Sequence, residues 1–188
     1  MPEEPTIKVS FELTKRDIKY FRKRLKQSRE NRTNDSDAEV IQGAADLVEE
    51  AGGAHSPEFV RTRIEVLKQL IEMVRDEQWR LEGRDRARVL DALAYFADPD
   101  DLIPDRIPGI GYIDDAIMVE LVARELKHEI KSYEDFCTFR NQPKSRRPDD
   151  DKIETKRQSL QRRMRRRRRS DLERMRTKSS KSTSLRLW

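Results

Sequence analysis

Apolar positions along this chain recur mostly on a helical period. In residues 15–31, Ile18, Phe21 and Leu25 share one face of a basic segment. Thr14 and Asp17 place an N-cap and an acidic third position before it. After the polar linker NRTNDSD, Ser36 or Asp37 caps a second helix carrying Val40, Ile41, Ala44, Ala45, Leu47 and Val48, which Gly52 and Gly53 end. Ser56-Pro57-Glu58 predicts the next start: a capping hydroxyl, a proline at the first helical position and an acid in the first turn. That third helix runs to about Leu81 through Val60, Ile64, Leu67, Leu70, Ile71, Val74 and Trp79, and Gly83 breaks it. A fourth carries Val89, Leu90, Leu93, Ala94 and Phe96 and stops at Asp98-Pro99. Asp114 starts a fifth with Ile117, Met118, Leu121, Val122, Leu126 and Ile130. Tyr133, Phe136, Cys137 and Phe139 either continue it or form a short sixth helix.

One stretch departs from this period. Ile7, Val9, Phe11 and Leu13 alternate with polar residues, as in a half-buried strand. No second strand pattern is present to pair with it, so residues 1–14 are expected as an extended arm. The stripes together predict an all-α fold, a small bundle of about five helices around one modest core. The expected organisation is an arm (1–14), a helical domain (15–142) and a basic, largely disordered C-terminal tail (143–188), rich in helix formers but helical only with a partner, because repulsion among Arg165–Arg169 opposes an isolated helix.

Charge sharpens that division. The 188 residues are 41% charged and carry a net charge of +5. Residues 143–188 hold 18 Lys/Arg against 6 Asp/Glu, a net +12, which leaves the first 142 residues at −7. An acidic body therefore precedes a tail suited to polyanions or to its own body. The one cysteine, Cys137, cannot close an internal disulfide, which fits a reducing, cytoplasmic setting. The N-terminal sequence has no apolar signal region, and no run of about 18 apolar residues predicts a membrane span.

The densest backbone demands lie between Tyr95 and Glu120. Pro99, Pro104 and Pro108 fix φ and remove donors, so 98–111 cannot be helical throughout. Gly109 and Gly111 permit close approach, and Leu102, Ile103, Ile107 and Ile110 should hold the loop against the helices. Short aspartates can satisfy the amides of such a loop, and Asp114 or Asp115 can cap the following helix. The same acids offer hard oxygen ligands for Mg²⁺ or Ca²⁺, with Asp101, Asp105, Asp114 and Asp115 as the metal candidates. Read as an EF-hand from Asp98, however, the loop has Leu102, Ile103 and Gly109 where the fifth ligand, the glycine and the glutamate belong. Caps and turn hydrogen bonds are the plainer reading of the aspartates. No nucleophile, phosphate loop or cofactor motif accompanies them, so no catalytic residue and no cofactor is expected.

The stretch resembles the YkvA-like family of uncharacterised bacterial proteins. Its pattern is similar to Y-x-x-x-P-x-D-L-I-P-D-x-I-P-x-x-G-x-x-D-D, met here by Tyr95, Pro99, Asp101, Leu102, Ile103, Pro104, Asp105, Ile107, Pro108, Gly111, Asp114 and Asp115. The resemblance covers about residues 88–125. It implies a helical hairpin around a buried proline-rich turn and no established activity. Several family members look membrane-embedded, with more apolar flanks. Here Arg124, Glu125, Lys127, His128 and Glu129 interrupt the fifth helix and speak against a span.

His55 and His128 read as surface residues, Cys137 as a small core residue, and Trp79 as closing the core near a helix end. In the tail, Arg162, Arg163, Arg165, Arg166, Arg167, Arg168 and Arg169 form a dense cationic block. Arginine pairs bidentately with phosphate, and counterion release makes such binding salt-dependent. No aromatic interleaves the block, so RNA or DNA would be held by its backbone without sequence preference. The bland reading is a solvated tail or a clasp on the acidic body. The alternatives are a protein adaptor whose tail clasps an acidic partner or an anionic membrane surface, and a Mg²⁺/Ca²⁺-binding aspartate loop.

Overall fold

The fold is taken from a computed structural model that describes residues 12–31, 36–52, 57–97, 103, 107, 111–143 and 148–184. Seven α-helices occur among these residues: α1 (Lys15–Asn31), α2 (Asp37–Ala51), α3 (Glu58–Arg75), α4 (Gly83–Leu93), α5 (Ile113–Glu125), α6 (Lys127–Arg140) and α7 (Asp150–Ser184). A 3-10 turn, Ala94–Ala97, continues α4. The all-α expectation holds. Most of the expected N-terminal arm lies outside the described residues.

Local chemistry explains most of the boundaries. The Thr14 hydroxyl accepts from the Asp17 amide, and the Asp17 carboxylate accepts from Thr14 in return. Ser36 and Glu39 form the same reciprocal box at α2. At α3 the expectation shifts by one residue: Pro57 stands at the cap and Glu58 opens the helix. Helix α3 also ends earlier than its apolar stripe suggests. The Asp76 carboxylate accepts from the amides of Gln78 and Trp79, turning the chain out of the helix at Arg75. The stripe continues to Trp79 and Leu81 because both are buried after that turn. The aromatic segment after α5 forms a helix of its own. The break falls at buried Leu126, whose amide still bonds Val122 and whose carbonyl already serves Ile130.

Helix α3 is the hub, packing against α2, α4, α5 and α6. Its Val60, Ile64, Leu67, Leu70, Ile71, Met73 and Val74 are buried along one stripe. The 3-10 turn packs on α2 so closely that a methyl at Gly43 would sit 2.7 Å from the Ala97 Cβ.

The largest difference from expectation is the tail. Where a largely disordered segment was expected, residues 150–184 form one helix, and its first half lies along α6. Ile153, Leu160 and Met164 belong to the same buried core as Trp79 and Phe136. Spaced by seven and four residues, they make one apolar stripe. Burying a side chain of this size stabilises by about 1.5–3 kcal/mol. That gain is open to a helix docked on a body and closed to a free one.

Candidate functional site

Two places bring chemistry-bearing side chains together: the turn before α5, and the face where α7 meets α4 and α6.

At the turn, Tyr95 is buried with its ring edge-on to Phe96 at 5.2 Å. The buried Gly111 donates its amide to the Ile107 carbonyl at 2.9 Å. Asp114 and Asp115 are both buried on the first turn of α5, where their charge suits the helix dipole. Neither caps it. The cap position belongs to Tyr112, held at φ 62° with no side-chain cap bond. Asp114 instead accepts the Ile103 amide at 3.2 Å, tying the loop to the helix that follows. Pro99, Asp101, Pro104, Asp105 and Pro108 lie outside the described residues, so two of the four metal candidates do as well. Among the described residues no group of three or more His, Cys, Asp or Glu side chains could hold a metal ion.

The second place is electrostatic. Glu129 of α6 is fully buried and Asp85 of α4 is 4% exposed at its side chain. Arg168 reaches both, at 2.7 Å to Glu129 and 2.8 Å to Asp85. Arg165 adds a 2.5 Å contact to Asp85, and Arg88 a 3.2 Å contact to Glu129. Burial works against the charge of Arg168, but its hydrogen bonds to Glu129 and Asp85 outweigh that and hold its pKa above the ordinary value. Arg163 pairs with Asp135 at 3.2 Å. At the far end Asp171 receives Lys127 at 2.5 Å and His128 at 2.9 Å. Those hydrogen bonds lower its carboxyl to about 2. His128, expected at the surface, is therefore mostly covered.

Toward the start of α7 the contacts become apolar. Trp79 is fully buried, its ring 5.1 Å from Phe136 and 5.8 Å from Tyr133. Its carbonyl accepts the Gln161 side-chain amide at 2.8 Å. Tyr133 donates to Asp76, which also receives Arg140 at 2.7 Å. Burial first, and then the Asp76 charge, pushes the Tyr133 phenol far above its usual range. Cys137 packs half-buried beside this cluster, and burial raises its thiol.

The seven arginines predicted as one polyanion-binding block are thus divided. Arg163, Arg165 and Arg168 pair with acids of the body, Arg165 while still exposed itself, and Arg162, Arg166, Arg167 and Arg169 are exposed. Sequence reasoning did not single out the partners Asp85, Glu129 and Asp135. The sequence signal available was the Ile153–Leu160–Met164 stripe, which predicts the face that docks.

Comparison with known proteins locates this geometry. A family model described as "Protein of unknown function (DUF1232)" matches residues 85–121. The match begins at Asp85 and includes Arg88, Tyr95, Gly111, Asp114 and Asp115, and it excludes α7. Among curated proteins the chain is similar to "Uncharacterized membrane protein YkvA" of Bacillus subtilis (strain 168). The two are 35% identical over 77 residues, spanning 38% of this chain and 71% of the relative. No solved structure matches the chain. None of the described helices is long and apolar enough to cross a membrane.

Proposed function

This chain belongs to the DUF1232 family of proteins of unknown function, and on that premise we propose a role from its own geometry. The helical body holds an arginine-faced helix rigid, and that helix binds the phosphate backbone of nucleic acid without sequence preference. The observation that carries the reading is the division of the arginine run. Three arginines fasten α7, and Arg162, Arg166, Arg167 and Arg169 face solvent. A helix already ordered by its docking has less conformational entropy to lose on binding than a free tail. Each phosphate neutralised releases counterions, so affinity should fall steeply with salt. The exposed arginine face carries no aromatic, so stacking on bases plays no part. The role goes with a cytoplasmic location.

Fluorescence anisotropy of the full chain with labelled RNA and DNA across a salt series tests this. The expected result is binding that weakens steeply with salt and is reduced by Arg166→Ala with Arg169→Ala. Absence of binding at low salt would reject the reading in favour of a protein partner for α7.

A further inference from the structure

Helix α1 is a basic island on an acidic body. It holds eight Lys/Arg against Asp17 and Glu30, a net +6, within a body whose net charge is −7. Its inner side is spent on the fold: Leu25 is buried, Phe21 packs against the core, and Arg29 pairs with Glu125 of α5 at 3.0 Å. The Thr14–Asp17 box fixes the other end. Lys15, Arg16, Lys19, Arg22, Lys23 and Lys26 are all exposed. At about 100° per residue, the six occupy one arc of about 120°. Among the described residues, Lys26 alone of the six is in an ion pair, and its partner Glu30 belongs to the same helix. Two rows run along this arc. Lys15, Lys19, Arg22 and Lys26 make a row of cations, and Arg16, Tyr20 and Lys23 lie beside it about one turn apart. Tyr20 is 51% exposed, and its ring stands edge-on to that of Phe21 at 6.1 Å and 78°.

We propose that this face of α1 binds single-stranded nucleic acid, with a base stacked on Tyr20 and phosphates along the row of cations. The surface is separate from the exposed arginines of α7, so the inference goes beyond backbone binding by α7 and does not rest on it. Single strands are held by cations that track the backbone beside aromatic rings that take the bases. Stacking, closed to the arginine face of α7, is open here because Tyr20 lies among the cations. The helix is already folded against the body, so little conformational entropy is left to lose on binding. A duplex keeps its bases paired inside and offers Tyr20 no free base, so it meets the cations alone. A bilayer fits less well. An amphipathic helix binds a membrane by burying its apolar face, and that face of α1 is committed to the core.

The test is anisotropy of the full chain with a short labelled oligodeoxythymidylate and a hairpin DNA duplex at matched salt. Co-sedimentation with vesicles of phosphatidylserine and phosphatidylcholine is the third arm. Tyr20→Ala should melt with the parent, bind the single strand about tenfold more weakly and leave the duplex nearly unchanged, because a stacked base contributes only to the first. Tyr20→Phe keeps the ring and should restore the parent affinity. Lys19→Gln with Arg22→Gln should shrink the salt slope for the single strand by about 1.4, about 0.7 for each phosphate lost. Arg166→Ala with Arg169→Ala should leave the Tyr20 effect in place, which separates the two surfaces. A Tyr20→Ala variant that weakens both polymers equally or neither, or whose loss appears on the vesicles and not on the single strand, would overturn the α1 inference and leave backbone binding by α7 to its own variants. No binding to any nucleic acid would overturn both.

Discussion

Arg163, Arg165 and Arg168 end on carboxylates of the body, whereas Arg162, Arg166, Arg167 and Arg169 end in solvent. The residue type is the same and the positions are interleaved within two turns of one helix. Helical register alone does not separate them, since Arg167 falls within about 40° of the side that carries Leu160 and Met164; what distinguishes the first group is a carboxylate of the body within reach. Arg165 and Arg168 neutralise acids that the fold has removed from water, Asp85 and Glu129, whereas Arg163 pairs with Asp135, which is still 32% exposed. The outward arginines contribute little to stability and are available for binding. A dense cationic run is therefore two populations, and counting its charges overstates what a ligand meets.

The sharpest way to break the comparison is to take away the apolar docking beneath it. Leu160→Ala should cost about 2–5 kcal/mol, read from thermal or urea unfolding, because the side chain is 1% exposed and leaves a cavity. A loss near zero would mean that α7 does not dock as described. Arg168→Ala comes next, at about 3 kcal/mol, the low end for breaking a buried pair, since Arg88 still serves Glu129 and Arg165 still serves Asp85. Arg166→Ala supplies the contrast. Stability should move by no more than about 0.5 kcal/mol. The slope of log affinity against log salt should shrink by about 0.9 if Arg166 meets one phosphate of duplex DNA. A destabilising Arg166→Ala, or a neutral Arg168→Ala, would dissolve the distinction.

The smallest expected effect concerns pH. The Asp171 carboxyl sits at about 2, below the ordinary 3.8, because Lys127 and His128 hydrogen-bond its charged form. With the folded value depressed, its contribution is present above the ordinary value and lost as pH falls through the folded one. Amide exchange around residues 168–177 should therefore quicken in that acid window, and Asp171→Asn should flatten the change. Substitutions suit these questions better than truncation at residue 142, which would take Leu160 and Met164 out of the core and remove Arg168 from Glu129 and Asp85.

The turn before α5 and helix α7 also differ in how legible they were. At the turn, prolines, glycines and aspartates impose backbone constraints that any reader of the sequence can list. The structure places Tyr95, Gly111, Asp114 and Asp115 in buried positions there. Asp114 or Asp115 was expected to cap the helix, but Tyr112 holds the cap position and the Asp114 carboxylate reaches instead to the Ile103 amide, eleven residues back. In α7 the errors were larger. Arginine repulsion argued against an isolated helix, and that argument is sound for a helix in water. It fails here because Asp85 and Glu129 neutralise the inner arginines, and they lie 80 and 39 residues away from Arg165 and Arg168 along the chain. Helix α3 was drawn too long for a related reason: its apolar stripe persists past Arg75 because the turn at Asp76 returns Trp79 and Leu81 to the same core.

The sequence by itself determined the helical class, the caps at Thr14 and Ser36, the family signature and the separation of an acidic body from a basic end. These follow from local rules, since periodicity, capping and proline chemistry act over a few residues. Only the tertiary structure decided that the basic end is a helix, which of its arginines are spent on the body and where it leaves the body to stand alone. Those outcomes depend on burial and on charge pairs across long sequence separations: the Ile153–Leu160–Met164 stripe marks the docking face locally, but the acids that meet the arginines leave no local trace.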